Sequence, residues 1–280
     1  MALSRGRREV TVALLDGPVD VGHPELAAGH ITEIPGRLRG TCARASDAAC
    51  AHGTSVAGIL AAKRGSSAPG LCPGCTLLVR PVFAEAAAGG TDPPTAAPED
   101  LAEAITDAIG AGARLINLSI ALIRPSPRAG RSMEAVLDYA ARRGVLVVAA
   151  AGNRGMLGGS PITRHHGVIP VVACDARGRP MSESNLGPSI GRRGLAAPGD
   201  RILSLAAGGG SRPVSGTSVA APVVTGTIAL LWSEFPAAPA AQLRHAVTRA
   251  HGPARRTIAP PVLDAAAAYR FLAESTAGKR

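Results

Sequence analysis

The stretch at residues 213–226 constrains the fold more than any other part of the chain; it reads Pro-Val-Ser-Gly-Thr-Ser-Val-Ala-Ala-Pro-Val-Val-Thr-Gly. Small residues come first and an apolar segment follows, so the pattern predicts a tight turn that opens into a buried helix near Thr217. Pro222 is compatible with this helix, because the backbone N–H that proline lacks has few intrahelical acceptors near a helix start. Ser218 would then lie at the positive end of the helix dipole, beside free backbone N–H groups that can receive a negative oxygen.

This environment suits a nucleophilic serine, although a Gly-Thr-Ser triplet is also a common capped helix start. Two further stretches strengthen the catalytic interpretation. Residues 10–20 contain an apolar strand segment that ends in Asp16, and residues 52–58, His-Gly-Thr-Ser-Val-Ala-Gly, begin a small-residue helix with His52. Acid, histidine and serine in this chain order match the subtilisin arrangement of the catalytic triad and not the chymotrypsin or α/β-hydrolase orders.

On these residues the chain resembles the subtilisin-like serine peptidases, and the resemblance extends over nearly its whole length. The segment 149–153, Ala-Ala-Ala-Gly-Asn, is similar to the family's strand end whose asparagine amide completes the oxyanion hole, here Asn153. Residues 195–200 and the pair Ser184-Asn185 also fall where the family has similar segments. The resemblance implies an α/β fold with a doubly wound, mainly parallel sheet flanked by helices, and the regular alternation of strand and helix patterns favours the same fold.

The resemblance also implies the roles of the catalytic residues. Ser218 is the expected nucleophile, His52 the general base, and Asp16 the acid that orients the imidazole ring. Asp20 is a competing carboxylate, but it falls in the following turn, and the family pattern assigns the role to the first acid. Together with the Asn153 amide, these groups need no metal and no organic cofactor.

A second group of residues is predicted to bind the substrate, again from the resemblance. The segment 119–121 falls where the family pairs an edge backbone with an extended peptide. Arg154 would lie at the rim of the primary specificity pocket, where a cation disfavours a basic residue before the scissile bond. The alternative for Arg154 is a solvent-facing loop arginine. The predicted substrate-binding residues are Ser119, Ile120, Ala121, Gly152, Arg154 and Ser160.

A narrower resemblance rests on the segments 14–20, 71–75, 80–83 and 116–120. They are similar to the peptidases that trim leaders from ribosomally made, modified peptides of the cyanobactin type. This implies a peptide or protein substrate and cleavage of a leader. Two alternatives remain open at this point: a general intracellular subtilisin-like protease, and a non-catalytic relative that binds a peptide in the same cleft.

Length and composition predict one folded domain over residues 1–280, since 280 residues with 46% hydrophobic content are enough for one large core. Residues 84–98 are expected to form a mobile loop and residues 275–280 a tail. The net charge of +10 lacks the basic and aromatic clustering of a nucleic-acid surface, so no nucleic-acid partner is expected. No secretory signal or membrane-length apolar run is visible, which predicts a cytoplasmic enzyme with no membrane partner unless a pro-segment has been removed. The oligomeric state is left open.

The cysteines permit several states. Cys42, Cys50, Cys72 and Cys75 are compatible with a four-thiolate zinc site, with two local pairs or with free thiols, and the spacing does not choose among them. Cys174 ends an apolar run and is expected to be a buried thiol. Disulfides would conflict mildly with a reducing cytosol.

No metal site is expected elsewhere in the chain. His165 and His166 are adjacent and have no evident acidic partner in the sequence, and residues 63–67 lack the carboxylates and amides of a calcium loop. One departure from the family pattern occurs at Ser55, where the family usually has a second histidine. We therefore expect helix packing near the site to differ.

Overall fold

The computed structural model of the protein describes residues 4–27, 29–85, 96–120, 127–249 and 257–277. Most of the predicted mobile loop, residues 86–95, lies outside these ranges, and so does Ala121. Within the predicted tail, residues 275–277 belong to the last helix, and residues 278–280 lie outside the described part.

A seven-stranded sheet with parallel pairing throughout forms the centre of the fold, in the order β2-β3-β1-β4-β5-β6-β7. A separate antiparallel hairpin consists of β8 and β9. The strands are β1 (Thr11–Asp16), β2 (His30–Glu33), β3 (Thr76–Pro81), β4 (Leu115–Leu118), β5 (Leu146–Ala150), β6 (Val168–Cys174), β7 (Leu195–Pro198), β8 (Ile202–Leu205) and β9 (Ser211–Val214).

Helices cover both faces of the sheet. They are α1 (Ala48–Ala61), α2 (Pro98–Gly110), α3 (Pro127–Arg142), α4 (Pro161–Arg164), α5 (Pro188–Arg193), α6 (Thr217–Glu234), α7 (Ala240–Arg249) and α8 (Ala265–Ala277). The architecture confirms the predicted doubly wound α/β fold.

The central strand β1 shows why both faces need a cover. Its residues after the first are all buried, and successive side chains point to opposite faces of a strand. Accordingly Val12 and Leu14 join the apolar core on the side of α1 and α6, while Ala13 and Leu15 join the core on the side of α2 and α3. A continuous apolar run is therefore what this strand requires.

Helix α6 begins at Thr217, as the sequence predicted, and is buried along most of its length. A helix that is apolar on all sides belongs inside a protein, and α6 packs between α1 and the sheet. Its preceding residue Gly216 has a φ of 124°, a conformation that L side chains rarely adopt. The tight turn at Gly216 brings Ser218 to the edge of the sheet where the strands end.

The predicted strand at residues 115–120 is shorter than expected, since β4 ends at Leu118. Ser119 and Ile120 follow the strand and are both buried. Among the described residues, no helix combines the length and apolarity that crossing a membrane requires.

The cysteines resolve into one disulfide and three thiols. Cys42 and Cys50 form the disulfide, whereas Cys72, Cys75 and Cys174 are free and buried. The four-thiolate zinc arrangement is excluded, because two of its four ligands are consumed by the disulfide. This disulfide stands against the predicted cytoplasmic location, which stays a prediction.

The expectation that His165 and His166 lack an acidic partner was wrong. Asp138 of α3 lies 3.1 Å from Nε2 of His165 and 3.9 Å from Nε2 of His166. The backbone N–H of Gly167 donates to Nδ1 of His165, so in the neutral ring Nε2 carries the proton and donates it to Asp138. Neither nitrogen of His165 then keeps a free lone pair for a metal, and burial lowers the pKa of this histidine. Sequence distance hid the acid, because α3 and α4 meet only in the folded chain.

Candidate active site

The candidate site lies where the strands β1, β4 and β5 end, the edge at which open α/β sheets bind ligands. Asp16 is the last residue of β1, and Asn153 follows the end of β5. Helix α1 brings His52 to this edge, and the first turn of α6 brings Ser218. Four residues distant in sequence thus meet at one edge.

Asp16 and His52 are joined directly. Oδ1 of Asp16 lies 2.6 Å from Nδ1 of His52 and also accepts the backbone N–H of Gly17. Asp16 is fully buried, and its Oδ2 atom has no hydrogen-bond partner in the described part of the chain. Gly17 permits this approach, because a Cβ there would collide with the carbonyl oxygen of Ala49 in α1. The absence of a side chain at Gly17 lets the end of β1 touch the helix that carries His52.

The charge of Asp16 raises the pKa of His52 above its ordinary value of 6.5. Burial and the positive charge of Arg212 act against this rise and lower the pKa. A carboxylate on Nδ1 requires a proton there, so the neutral ring keeps its lone pair on Nε2. His52 is thereby held in the tautomer that can accept a proton on Nε2.

The backbone of Ser218 is held by a buried chain of hydrogen bonds. The usual donor to the Ser218 carbonyl would be the N–H of residue 222, which is proline and has none. The hydroxyl of Ser119 donates to this carbonyl instead, at 3.1 Å, and accepts from the Asn117 amide at 2.8 Å. Thr225 in turn donates to the carbonyl oxygen of the Asn117 side chain at 2.8 Å. This chain replaces the missing helical bond and supports the turn that presents the Ser218 hydroxyl.

The side chain of Asn153 lies against the start of α6. Its Oδ1 atom accepts the backbone N–H of Thr217 at 2.9 Å, and the Thr217 hydroxyl accepts the N–H of Gly152 at 3.1 Å. Since a backbone N–H can only donate, the atom facing Thr217 must be oxygen, and the NH2 group of Asn153 points the other way. A Cβ at Gly216 would lie 2.9 Å from that nitrogen, so glycine leaves the donor its space.

Ser218 and His52 line one cavity of about 290 Å³. Within the residues that the structure describes, no hydrogen bond joins the two side chains. Catalytic hydrogen bonds are often long in the absence of substrate and tighten when it binds. The structure therefore brings the serine and the histidine to the same cavity without linking them.

The competing acid, Asp20, forms a hydrogen bond with a different part of the chain. Its Oδ2 atom accepts the backbone N–H of Gly208, 2.8 Å away in the loop between β8 and β9. The departure at Ser55 also has a structural consequence: its hydroxyl lies 2.9 Å from the carbonyl oxygens of both Ala51 and Leu205. Ser55 thus connects α1 to β8 next to the cavity.

The predicted substrate-binding residues have different surroundings. The Ser119 hydroxyl donates to the Ser218 carbonyl and accepts from the Asn117 amide, so it is not available to a peptide. Arg154 is exposed. The Ser160 hydroxyl caps α4 by accepting from the N–H of Thr163. Gly152 has a φ of 103° at the end of β5. Ile120 is buried, and Ala121 lies outside the described residues.

Sequence reasoning missed Asn117, Thr225 and Arg212. A signal existed for the first two, because a proline four residues after Ser218 predicts a free carbonyl that needs another donor. No local signal marked Arg212, whose place beside His52 depends on the pairing of β8 with β9.

Comparisons with known proteins show the family to which the chain belongs. A sequence profile of the Subtilase family matches residues 7–267. The chain belongs to this family of serine peptidases, as the sequence predicted. Its fold is similar to that of a mutant protease domain of PatA, with 33% identity and a TM-score of 0.88 over 98% of this chain and 99% of that one. The prenylagaramide maturation protease PagA has 29% identity and a TM-score of 0.81 over 96% and 95% of the two chains.

Curated relatives include longer proteins. The chain is 32% identical over 199 residues to a thermostable alkaline protease of Halalkalibacterium halodurans, covering 71% of this chain and 51% of that protein. It is 33% identical over 242 residues to Mycosin-4 of Mycobacterium tuberculosis, covering 72% and 52%. The chain therefore spans about half the length of these relatives.

Proposed function

We propose that the protein is a serine endopeptidase that removes the leader from a ribosomally made, modified precursor peptide. The observation that carries the peptidase activity is the buried 2.6 Å contact between Asp16 and His52 beside the cavity that His52 shares with Ser218. A buried carboxylate that orients an imidazole next to a serine at a helix N-terminus suits acyl transfer.

In this mechanism, Ser218 attacks the carbonyl carbon of the scissile bond while Nε2 of His52 takes the hydroxyl proton. Asp16 holds the ring in its tautomer and stabilises the imidazolium. His52 then delivers the proton to the leaving amine, and an acyl-enzyme remains on Ser218. Water attacks this ester with His52 again acting as base, and the acid product leaves.

The oxyanion formed in both steps needs donors that are already in place. The backbone N–H of Ser218 is at the positive end of α6, and the NH2 group of Asn153 is directed away from Thr217. We assign these two donors to the oxyanion. The acyl side of the substrate extends along residues 119–121 and Gly152, with Arg154 and Ser160 near its pockets.

The substrate class is supported by the similarity to PatA and PagA, both described as maturation proteases, over almost the whole chain. A general protease is the second candidate, favoured by identities of about 30% to several subtilisins. Cleavage of cyanobactin-type precursor peptides, compared with cleavage of casein, separates the two. Preference for casein would favour the general protease.

A fluorophosphonate probe tests the peptidase mechanism itself. We expect the wild type to be labelled and Ser218→Ala to remain unlabelled. Ser215→Ala is a matched control, because Ser215 lines the same cavity but its hydroxyl accepts the N–H of Arg201. An unlabelled wild type would favour the non-catalytic peptide-binding relative.

A further inference from the structure

We propose that Arg212 selects substrates with a carboxylate on the first or second residue after the scissile bond. This inference rests on the proposed peptidase function, because it concerns the leaving-group side of the same cleft.

The pairing of β8 with β9 determines where Arg212 lies. Arg212 is directly opposite Ser204 in the antiparallel hairpin, and cross-strand partners lie on the same face. Ser204 is buried and its hydroxyl donates to the carbonyl of Ser55 in α1 at 2.6 Å. Ser55 lies about one helical turn after His52. Arg212 therefore belongs to the hairpin face that covers the turn carrying the histidine.

The hairpin is held closely against α1. A Cβ at Gly58 would lie 2.7 Å from the Ser204 hydroxyl oxygen and 2.8 Å from Cγ of Leu205, so only glycine permits this approach. Ser55 adds a hydrogen bond to the Leu205 carbonyl from the same helix. Arg212 is thus carried by a strand whose position relative to His52 is determined by packing.

The cavity lies on the leaving-group side of Ser218. Its lining comes from α1, β9 and the start of α6, and includes Arg212, His52 and Ser218. No described residue that lines it comes from the ends of β4 or β5, where the acyl side of the substrate is expected. The residues that follow the scissile bond would therefore enter this cavity.

The charge of the cavity favours an acid. Arg212 is exposed, and within the described part of the chain no ion pair or hydrogen bond occupies its guanidinium. No carboxylate lines the cavity among the described residues. Arg212 also opposes the rise of the His52 pKa that Asp16 causes, which indicates that its charge acts at the reacting groups. A guanidinium presents paired donors that match a carboxylate, so glutamate or aspartate is the complementary side chain.

Cleavage profiling of a random decapeptide library tests the preference, because such a library offers every residue at each position around the cut. The wild type should enrich Glu and Asp over Gln and Asn at the first or second position after the cut, by about three- to fivefold at low salt. Arg212→Gln should reduce this ratio to about one, and Arg212→Glu should favour Lys or Arg there. Arg143→Gln is the matched control, since Arg143 is exposed just before β5, at the sheet edge opposite the site, and should leave the ratio unchanged.

A binding experiment measures the same preference for acidic residues without peptide cleavage. Selection of the library on Ser218→Ala should enrich acidic residues, and selection on Ser218→Ala with Arg212→Gln should not. The inference is overturned if the wild type shows no acidic preference, or if the preference survives in Arg212→Gln. Failure of the proposed function looks different, because the wild type would then neither cleave the library nor react with the fluorophosphonate.

Discussion

Nδ1 of His52 lies 2.6 Å from Oδ1 of Asp16, and that carboxylate is completely buried. The contact joins the end of β1 to α1, so this hydrogen bond belongs both to the packing of the fold and to the proposed catalytic site. A charge at this place has to be paired, since an isolated buried carboxylate is strongly unfavourable. The activity and the local stability should therefore depend on the same few atoms.

The pH dependence of peptide hydrolysis should report the raised pKa of His52. Catalysis needs the neutral ring, so kcat/KM should fall as the pH decreases through a midpoint above 6.5. Replacing Asp16 by Asn removes the charge that raises this pKa, so the midpoint should move down, and kcat should fall roughly 10⁴-fold because the tautomer is lost. Steady-state kinetics from pH 5 to 9 measure both, and a midpoint that stays in place in Asp16→Asn contradicts the assignment.

Arg212→Gln should shift the same midpoint in the opposite direction. The guanidinium lowers the pKa of His52, so its removal should raise the pKa and move the acid limb of kcat/KM to higher pH. Arg143→Gln, at the opposite edge of the sheet, is the control and should leave the acid limb unchanged. Measured profiles that coincide for the wild type and Arg212→Gln would show that the two groups do not interact.

The Asn153 side chain has two roles, as a donor to the oxyanion and as an acceptor for the N–H of Thr217, and two substitutions separate them. Asn153→Asp keeps an oxygen that can accept from the N–H of Thr217 but lacks the NH2 donor, so the fold should persist while kcat falls by about 10²- to 10³-fold or more. Asn153→Ala should lose both the donor and the acceptor, adding a loss of stability of roughly 1 kcal/mol. Kinetics and chemical denaturation of both variants test this. An Asn153→Asp enzyme with wild-type kcat would remove Asn153 from the oxyanion site.

The buried chain behind Ser218 should contribute to stability and to positioning. Thr225→Val removes a hydroxyl at nearly constant volume and leaves Oδ1 of Asn117 without that donor, so the free energy of unfolding should fall by about 1–3 kcal/mol. Thr225→Ser keeps the hydroxyl and is the matched control. We expect kcat to decrease in Thr225→Val while KM changes little. A Thr225→Val variant as stable as the wild type would mean that this hydrogen bond contributes nothing to stability.

Gly17 tests the close approach of β1 and α1. Gly17→Ala places a Cβ against the carbonyl of Ala49, so either the strand or the helix must move, with a cost of about 1–3 kcal/mol and a loss of the Asp16–His52 geometry. Gly65→Ala is the control, because nothing lies within 4 Å of its Cβ position. Measurements of thermal unfolding and kcat on the two variants test whether β1 and α1 are in contact at Gly17. A harmless Gly17→Ala would show that the two elements are not in contact.

The disulfide determines how many free thiols the protein should contain. Of the five cysteines, Cys42 and Cys50 are paired, so the unfolded, unreduced protein should expose three thiols to a thiol reagent. After reduction it should expose five. Mass spectrometry after alkylation identifies the blocked pair. Five thiols before reduction would contradict the disulfide, and with it the argument against the predicted cytoplasmic location.

Local patterns in the sequence were sufficient for much of the fold. The change from small residues to an apolar run predicted that α6 starts at Thr217, and the uninterrupted apolar segment before Asp16 predicted a strand covered on both faces. These features depend on neighbours along the chain, so backbone sterics, helix capping and apolar periodicity determine them. The order of Asp16, His52 and Ser218 then indicated the family before any distance was known.

Contacts between distant segments were decided only by the tertiary structure. The sequence left the cysteine pairing open, indicated no role for the Ser119 hydroxyl and showed no acid near His165. Folding pairs Cys42 with Cys50, turns the Ser119 hydroxyl to the Ser218 carbonyl and brings Asp138 to the histidine. Arg212 reaches the cavity of His52 only because β8 pairs with β9 in one register. Such contacts follow from how helices and strands pack against one another, and packing joins residues whose separation in the chain carries no information about their distance in space.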